Sequence, residues 1–319
     1  MTLMTAIIPT YSRYDLLTTC IDGLLNQTLG NIEIIIVDNA SKVNIQRIVE
    51  RRYGARVTTL RLHRNFFFCG AVNHGATLAK SDYIAVLNDD CMVSPGWAET
   101  VLETFARYPS AGSVASLVLN ASDKELINSA GDHLDISGRP TNLYWNQRAS
   151  QVSLSITQVF SAAGSCAAYR RDAFEAAGKF DNDFAAYLDD IDLGFRLQLL
   201  GYTTIFNPSC TAVHVGGGTP KTRRYAAYLL ERNMIWNLVK NLPGELWQRH
   251  RRKILAAQSV PAPLVDGVSV AGWTKGKAGA VLGIQKMLNK RQQIQHCRRI
   301  SIDDLEELLL RHDTRQCHL

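Results

Sequence analysis

Short, nearly continuous apolar runs alternate with helical apolar spacing through the first third of this chain. Thr5 to Pro9 is an apolar run ended by proline, which suits a buried strand. Ser12 to Gln27 then places Leu16, Leu17, Cys20, Ile21, Leu24 and Leu25 at helical spacing. Glu33 to Val37 is a second strand, apolar enough to be covered on both faces, and it stops at the polar turn Asp38-Asn39-Ala40-Ser41. A helix over Ile45 to Tyr53, a strand over Val57 to Leu62, a helix over Gly70 to Lys80 and a strand over Tyr83 to Leu87 follow, the last ending in Asn88-Asp89-Asp90. Strand alternating with helix predicts an α/β fold with a mostly parallel, doubly wound sheet flanked by helices. Polar residues fall at the carboxyl ends of strands, where open sheets of this kind bind ligands.

The pattern weakens in the middle. Val114 to Leu119 and Val152 to Phe160 read as strands separated by a polar, glycine-containing loop, and Arg170 to Ala177 as a short helix. Gly178 to Asp181 reads as a turn. Asp190 to Leu200 is a helix closed by Gly201, and Thr203 to Asn207 a further strand. A strong helix covers Tyr225 to Lys240, and beyond Pro243 lie helical pieces broken by Pro261, Pro263 and several glycines. The expected organisation is a main domain over 1–240, with a nucleotide-binding half to about 120 and an acceptor half over 121–240, followed by a basic helical appendage over 241–319.

Composition adds little until the charge is located. Apolar residues make up 46% and charged residues 20%, an ordinary globular balance. No apolar run reaches the ~18 residues that a membrane span needs, and Met1 to Thr10 lacks the basic start of a secretory signal. The seven cysteines (Cys20, Cys69, Cys91, Cys166, Cys210, Cys297, Cys317) are scattered and form no C-x-x-C pair. That argues for buried thiols in a reducing cytosol, not for disulfides or a zinc cluster. The net charge of +6 is uneven: Lys221 to Arg299 holds 16 Lys and Arg against 3 Asp and Glu. Arg249 to Lys253 and Lys286 to Arg299 could meet an anionic lipid surface or form a solvated face. No aromatic stacking pattern accompanies the charge, which speaks against nucleic acid.

Three acidic groups carry candidate chemistry. Asp38 ends a strand, where a carboxylate can accept hydrogen bonds from a base or a ribose hydroxyl, or simply cap the next helix. Asn88-Asp89-Asp90 offers hard oxygen ligands that suit Mg²⁺ or Mn²⁺, and through it a diphosphate; a polar turn is the plainer alternative. Asp189-Asp190-Ile191-Asp192 puts three carboxylates at a helix start, where the dipole favours the ionised form that a general base needs; helix capping in solvent is the plainer alternative.

The order and framing of these groups resemble family 2 glycosyltransferases from Thr5 to about Lys240. Ile8 to Arg13 is similar to the family's I-P-T-Y-N-R, and Val37 to Ser41 to its V-D-N-x-S. Arg64-Asn65 through Gly70-Ala71-Val72-Asn73-His74-Gly75 resembles R-N-x-G-F-A-G-A-x-N-x-G. Leu87 to Asp90 looks like the D-x-D variant whose last Asp is the metal ligand. Tyr187 to Leu193, with Arg196 and Gly201-Tyr202, resembles Y-x-E-D-x-D-L…R…G-Y, and His214 falls where many members carry a histidine. Two departures stand out: Phe67 takes a place usually held by Gly, and Asp189 replaces the usual Glu.

The resemblance implies the GT-A fold and an inverting, metal-dependent transfer of one sugar from a nucleotide-diphosphate donor to an acceptor hydroxyl. It assigns Asp190 as the base, and Asp90 with His214 to Mg²⁺ or Mn²⁺. It assigns Pro9, Thr10, Tyr11, Arg13, Asp38, Asn65, Gly70, Asn73 and Asp89 to the nucleotide, and Asp189 and Asp192 to supporting positions. The overall look is that of rhamnosyltransferase-like members building bacterial surface polysaccharide, which suggests dTDP-rhamnose and a glycan or lipid-linked acceptor at the inner face of the membrane. A catalytically silent nucleotide-sugar scaffold is the main alternative, opposed by the intact Asp38, Asp90, Asp190 and His214. A sugar-1-phosphate nucleotidyltransferase should open with a glycine-rich phosphate loop, and a processive synthase should carry membrane helices and Q-x-x-R-W; neither set is in the sequence.

Overall fold

The computed structural model describes residues 2–216, 220–261 and 270–311, with the side chains of 220–224 and 270 outside the description. Pro263 and Cys317, and the basic side chains of Lys221, Arg223 and Arg224, therefore lie outside the described residues.

The first half runs β1 (Met4–Thr10), α1 (Tyr14–Leu25), β2 (Ile32–Asp38), α2 (Ile45–Tyr53), β3 (Thr58–Arg61), α3 (Phe67–Ala76), β4 (Tyr83–Leu87), β5 (Cys91–Val93), α4 (Trp97–Arg107) and β6 (Ala111–Asn120). The second half begins with the short strands β7 (Ile127–Ser129), β8 (Asp132–Leu134), β9 (Pro140–Asn142) and β10 (Thr157–Val159), then β11 (Cys166–Arg170), α5 (Arg171–Ala176), α6 (Asp189–Leu199) and β12 (Thr203–His214). Helices α7 (Pro220–Asn241), α8 (Gly244–Gln258), α9 (Val270–Leu282), α10 (Ile284–His296) and α11 (Ile302–Leu310) close the described chain. The elements expected from β1 to β4 are all present. The strand expected over Val152 to Phe160 is confined to β10, because Ser153 to Ile156 has no ladder partner. The strand expected over Thr203 to Asn207 continues to His214 past an irregularity between Asn207 and Thr211.

The sheet order is β10-β12-β6-β11-β4-β1-β2-β3, with β5 on β12 and β7 on β6. Strands β1 to β4 are parallel, β6 and β12 are parallel to each other, and β11, β10 and β5 run against their neighbours. Successive residues of β1 serve two layers: Met4, Ala6 and Ile8 join the core under α1, α2 and α4, while Ile7 joins the core under α3. Burial on both faces is why β1, β2 and β4 read as unbroken apolar runs. A methyl group at Gly75 would sit 2.6 Å from Ile7 Cγ2 and 2.9 Å from Val37 Cγ2. Only a glycine lets α3 lie this close to the sheet, and forcing the two apart would cost about 1–3 kcal/mol.

The chain passes from β1 through β2 to β3 on one side and then crosses to β4 on the other. The carboxyl ends of β1 and β4 therefore frame a switch point, the crevice where open α/β sheets place ligands. A third core joins the C-terminal helices to α6: Leu246 and Ile254 of α8 and Leu305, Leu308 and Leu309 of α11 pack with Ile191, Phe195 and Leu199.

Candidate active site

At the switch point the turn after β1 meets the turn after β4. Thr10 Oγ1 donates to Asp89 Oδ2 at 2.7 Å, and Arg13 Nη2 donates to Asp90 Oδ2 at 2.9 Å. Pro9 leads into this turn, and Tyr11 stands 47% exposed beside it. Burial pushes the Asp89 carboxyl up to about 6, against the opposing pull of Thr10 and Arg13. Burial acts on Asp90 too, but His214 and Arg13 together outweigh it and hold its pKa below the ordinary range.

Asp90 and His214 fit a divalent cation. His214 Nδ1 lies 3.1 Å from Asn128 Oδ1, a contact in which the imidazole N–H donates. Its Nε2 sits 3.1 Å from Asp90 Oδ1 and 3.3 Å from Asn88 Nδ2. A carboxylate oxygen and an imidazole nitrogen side by side are a donor pair that would take Mg²⁺ or Mn²⁺ in place of a shared proton, with Asn128 orienting the imidazole. No cluster of three or more His, Cys, Asp or Glu surrounds the point among the described residues.

His214 and Asn88 also line a cavity of about 430 Å³, together with Asp189, Asp190 and Ile191 from the start of α6. Asp190 Oδ2 accepts from Gly164 N at 2.9 Å and Oδ1 from Ile191 N at 2.8 Å. A methyl group at Gly164 would come within 3.3 Å of that Oδ2. Burial raises the Asp190 pKa while the two N–H groups hold it back, which makes this carboxyl, on the lining of the cavity, more basic than a free one. Asp189 is 5% exposed, and burial and the Asp190 charge lift its pKa well above the ordinary value.

Of the remaining expected residues, Asp38 pairs with Thr10 at the carboxyl ends of β1 and β2, beside the same turn. Asp38 is fully buried, with Oδ2 held by Arg61 Nη1 at 2.8 Å and Oδ1 by Ser41 N at 2.9 Å, so both oxygens are already engaged. Asn65 Oδ1 accepts from Phe67 N, and the Nδ2 of Asn73, expected on the nucleotide side, donates to Phe180 O and Asn182 Oδ1. Asn73 thus ties α3 to the turn after α5. Gly70 is a close approach, since a methyl group there would meet Phe66 Cβ at 2.8 Å. Phe67, in the place usually held by Gly, keeps the left-handed backbone at φ 58°. Asp192 does not line the cavity: Arg196, Lys240 and Asn241 surround it.

Several residues at the site carried no sequence signal. Asn128 and Asp132 come from strands of three residues, too short for periodicity, and Asn233 of α7 donates from one Nδ2 to Phe184 O, Ala186 O and Tyr187 O.

The profile of Glycosyl transferase family 2 matches residues 5–178, more than half of the chain. The chain belongs to that family. An L-rhamnosyltransferase of Mycobacterium tuberculosis acting on N-acetylglucosaminyl-diphospho-decaprenol is 27% identical over 239 residues, covering 66% of this chain and 76% of the relative. The O-antigen biosynthesis protein RfbC of Myxococcus xanthus is 25% identical over 217 residues, and the match spans 65% of this chain but 17% of that much longer protein. Among solved structures, GalNAc-T7 with UDP, GalNAc and Mn²⁺ superposes with a TM-score of 0.64 at 14% identity, over 92% of this chain and 57% of the other. A mannosyltransferase of Pyrobaculum calidifontis with GDP-mannose and Mn²⁺ superposes at 0.55 and 16% identity, over 92% and 85%. This family 2 glycosyltransferase accordingly has the GT-A fold.

Proposed function

We propose that the enzyme transfers a single sugar, with inversion, from a nucleotide-diphosphate sugar to a hydroxyl of a glycan or lipid-linked acceptor, and that the donor is dTDP-rhamnose. The observation that carries the chemistry is that the Asp190 carboxyl and His214, itself against Asp90, line the same cavity. Asp190 takes the acceptor proton as that oxygen bonds to the anomeric carbon, and the bond to the diphosphate breaks with its electron pair on the leaving group. Arg13 and the turn after β1 face the leaving diphosphate. Mg²⁺ or Mn²⁺ held by Asp90 and His214 supplies Lewis-acid neutralisation of that charge when bound. The mycobacterial relative's name supports the rhamnose donor and a lipid-linked acceptor, and the Mn²⁺ in the two solved neighbours supports the metal.

Work at the cytoplasmic face of a membrane follows from such an acceptor. No helix among the described residues is long and apolar enough to cross a membrane, so we propose peripheral contact through the basic C-terminal helices.

Calorimetric titration with UDP, dTDP and GDP, in Mn²⁺ and in EDTA, tests this reading. The expected result is one nucleotide bound in a metal-dependent way, with the metal-dependent part lost in Asp90→Ala. Binding that ignores both EDTA and Asp90→Ala would remove the metal assignment, and no binding of any nucleotide would remove the donor assignment.

A further inference from the structure

A second buried carboxylate opens on the same cavity and takes no part in the chemistry above. Asp132, first residue of β8, is 3% exposed and lines the cavity together with Asp190, Asn128 and Asn142. Its backbone is bridged to Phe160-Ser161, Asp132 N donating to Ser161 O at 3.0 Å and Phe160 N donating to Asp132 O at 2.9 Å. Its Oδ2 accepts from Ser161 Oγ at 2.8 Å, and its Oδ1 makes no hydrogen bond among the described residues. Ser161 in turn lies under α6: a methyl group at Gly194 would stand 2.3 Å from Ser161 Cβ. The glycine therefore brings the helix that begins with Asp189-Asp190 directly onto the strand that aims Asp132.

A carboxyl held by one oxygen and lining a cavity leaves its other oxygen available to a hydroxyl of a bound ligand. The charged group that faces Asp132 is Asp190; burial and that charge both raise the Asp132 pKa. Asp132 and Asp190 thus line one cavity as two carboxyls close enough to influence each other.

Resting on the transferase reading, we propose that Asp132 binds a second hydroxyl of the acceptor sugar, so that the cavity is a polyol subsite in which Asp190 activates one hydroxyl and Asp132 fixes the ring that bears it. Asn128 and Asn142 supply further polar lining for the same ring. The subsite selects pyranosides presenting two hydroxyls to Asp190 and Asp132 and disfavours analogues lacking the second, because they forgo the hydrogen bond to Asp132.

The test uses the full chain and the nucleotide sugar whose nucleotide it binds. A panel of methyl pyranosides (of N-acetylglucosamine, galactose, mannose and rhamnose) serves as acceptor probes. Transfer to the probe and hydrolysis of the donor by water are measured side by side. In Asp132→Ala, transfer should fall about tenfold relative to hydrolysis, with a raised KM for the probe, as expected for loss of one hydrogen bond, and Asp132→Asn should restore part of it. Ser161→Ala, which frees the Asp132 carboxylate without removing it, should shift the same ratio in the same direction by less. Asp190→Asn should lower transfer and hydrolysis together. Transfer and hydrolysis falling together in Asp132→Ala, neither changing, or a wild type that hydrolyses donor yet glycosylates no pyranoside would each overturn the assignment. A wild type that releases no nucleotide under any condition fails at the transferase reading itself, a failure distinguishable because no ratio can then be measured.

Discussion

Asp190 receives two backbone N–H groups, whereas its neighbour Asp189 is buried among like charges, with Asp190 and Asp192 both pressing on it. The fold therefore binds the Asp189 proton more tightly than the unfolded chain does. For a carboxyl whose pKa is raised on folding, that stabilisation is complete below the unfolded value of 3.8 and is lost as pH rises through the folded value. Asp189→Asn has no proton to lose. Its melting temperature should match the wild type near about pH 4 and exceed it increasingly toward about pH 8, as thermal unfolding across that range will read. A constant offset would mean that Asp189 does not titrate differently on folding. The acidic triplet was legible because its local frame is continuous: three carboxylates, a helical apolar pattern, then Gly201 with φ 84° as the stop. Asp132 was not, since nothing within a few residues of it indicates that Ser161 and α6 will close over it.

The segment leading into α6 has Ala185, Tyr187 and Leu188 at φ of 65°, 65° and 58°, left-handed conformations that side chains other than glycine rarely adopt. Helix α7 holds them there. Asn233 donates to three carbonyls of the segment, Asn237 Nδ2 donates to Leu188 O, and Arg232 Nη2 donates to Asp183 O and Phe184 O. Asn233→Ala should relax the segment and displace Asp190. Transfer should fall by about 10–100-fold while nucleotide affinity is kept, as expected for a small misplacement of a catalytic group; equal loss of both would point to general unfolding. A second tie lies below it, where Lys240 Nζ bonds Asp181 at 2.6 Å and Asp192 at 2.8 Å, all three largely shielded from solvent. Lys240→Met leaves two buried carboxylates short of a partner, and urea denaturation should read a loss of about 3–5 kcal/mol. The sequence marked α7 as a strong helix but gave its asparagines no role, because their partners lie 46 to 49 residues away. Helical periodicity identifies which face is apolar; it does not identify the loop that a polar face will clamp.

Over the whole molecule, the basic C-terminal block is in large part consumed internally. Lys286 and Lys290 pair with Asp181 and Asp183, Arg249 with Asp303 and Glu306, Lys277 with Glu231 and Arg298 with Glu245. Much of the charge expected over Lys286 to Arg299 therefore fastens helices to the catalytic half. What remains for a lipid surface is concentrated on α8, where Arg251, Arg252 and Lys253 are exposed and make no ion pair among the described residues. Trp247, Arg251 and Leu255 recur every four residues on one face of that helix, with Trp247 40% and Leu255 56% exposed. An indole, an aliphatic side chain and cations on one exposed stripe suit the headgroup boundary of an anionic membrane. At about 1 kcal/mol for each basic residue near such a surface, reversing nothing but merely removing these three charges to alanine should weaken binding by about 100-fold. Sedimentation with vesicles of phosphatidylglycerol and phosphatidylcholine reads this directly, and Leu255→Ser should add a further loss that salt does not screen. Raising the salt should release the wild type but leave its transfer to soluble methyl pyranosides intact, since α8 is remote in sequence from the cavity and contributes no residue to its lining. Binding to neutral vesicles equal to that on anionic ones, or binding indifferent to the three substitutions, would leave α8 as a solvated face and move the membrane contact elsewhere on the enzyme.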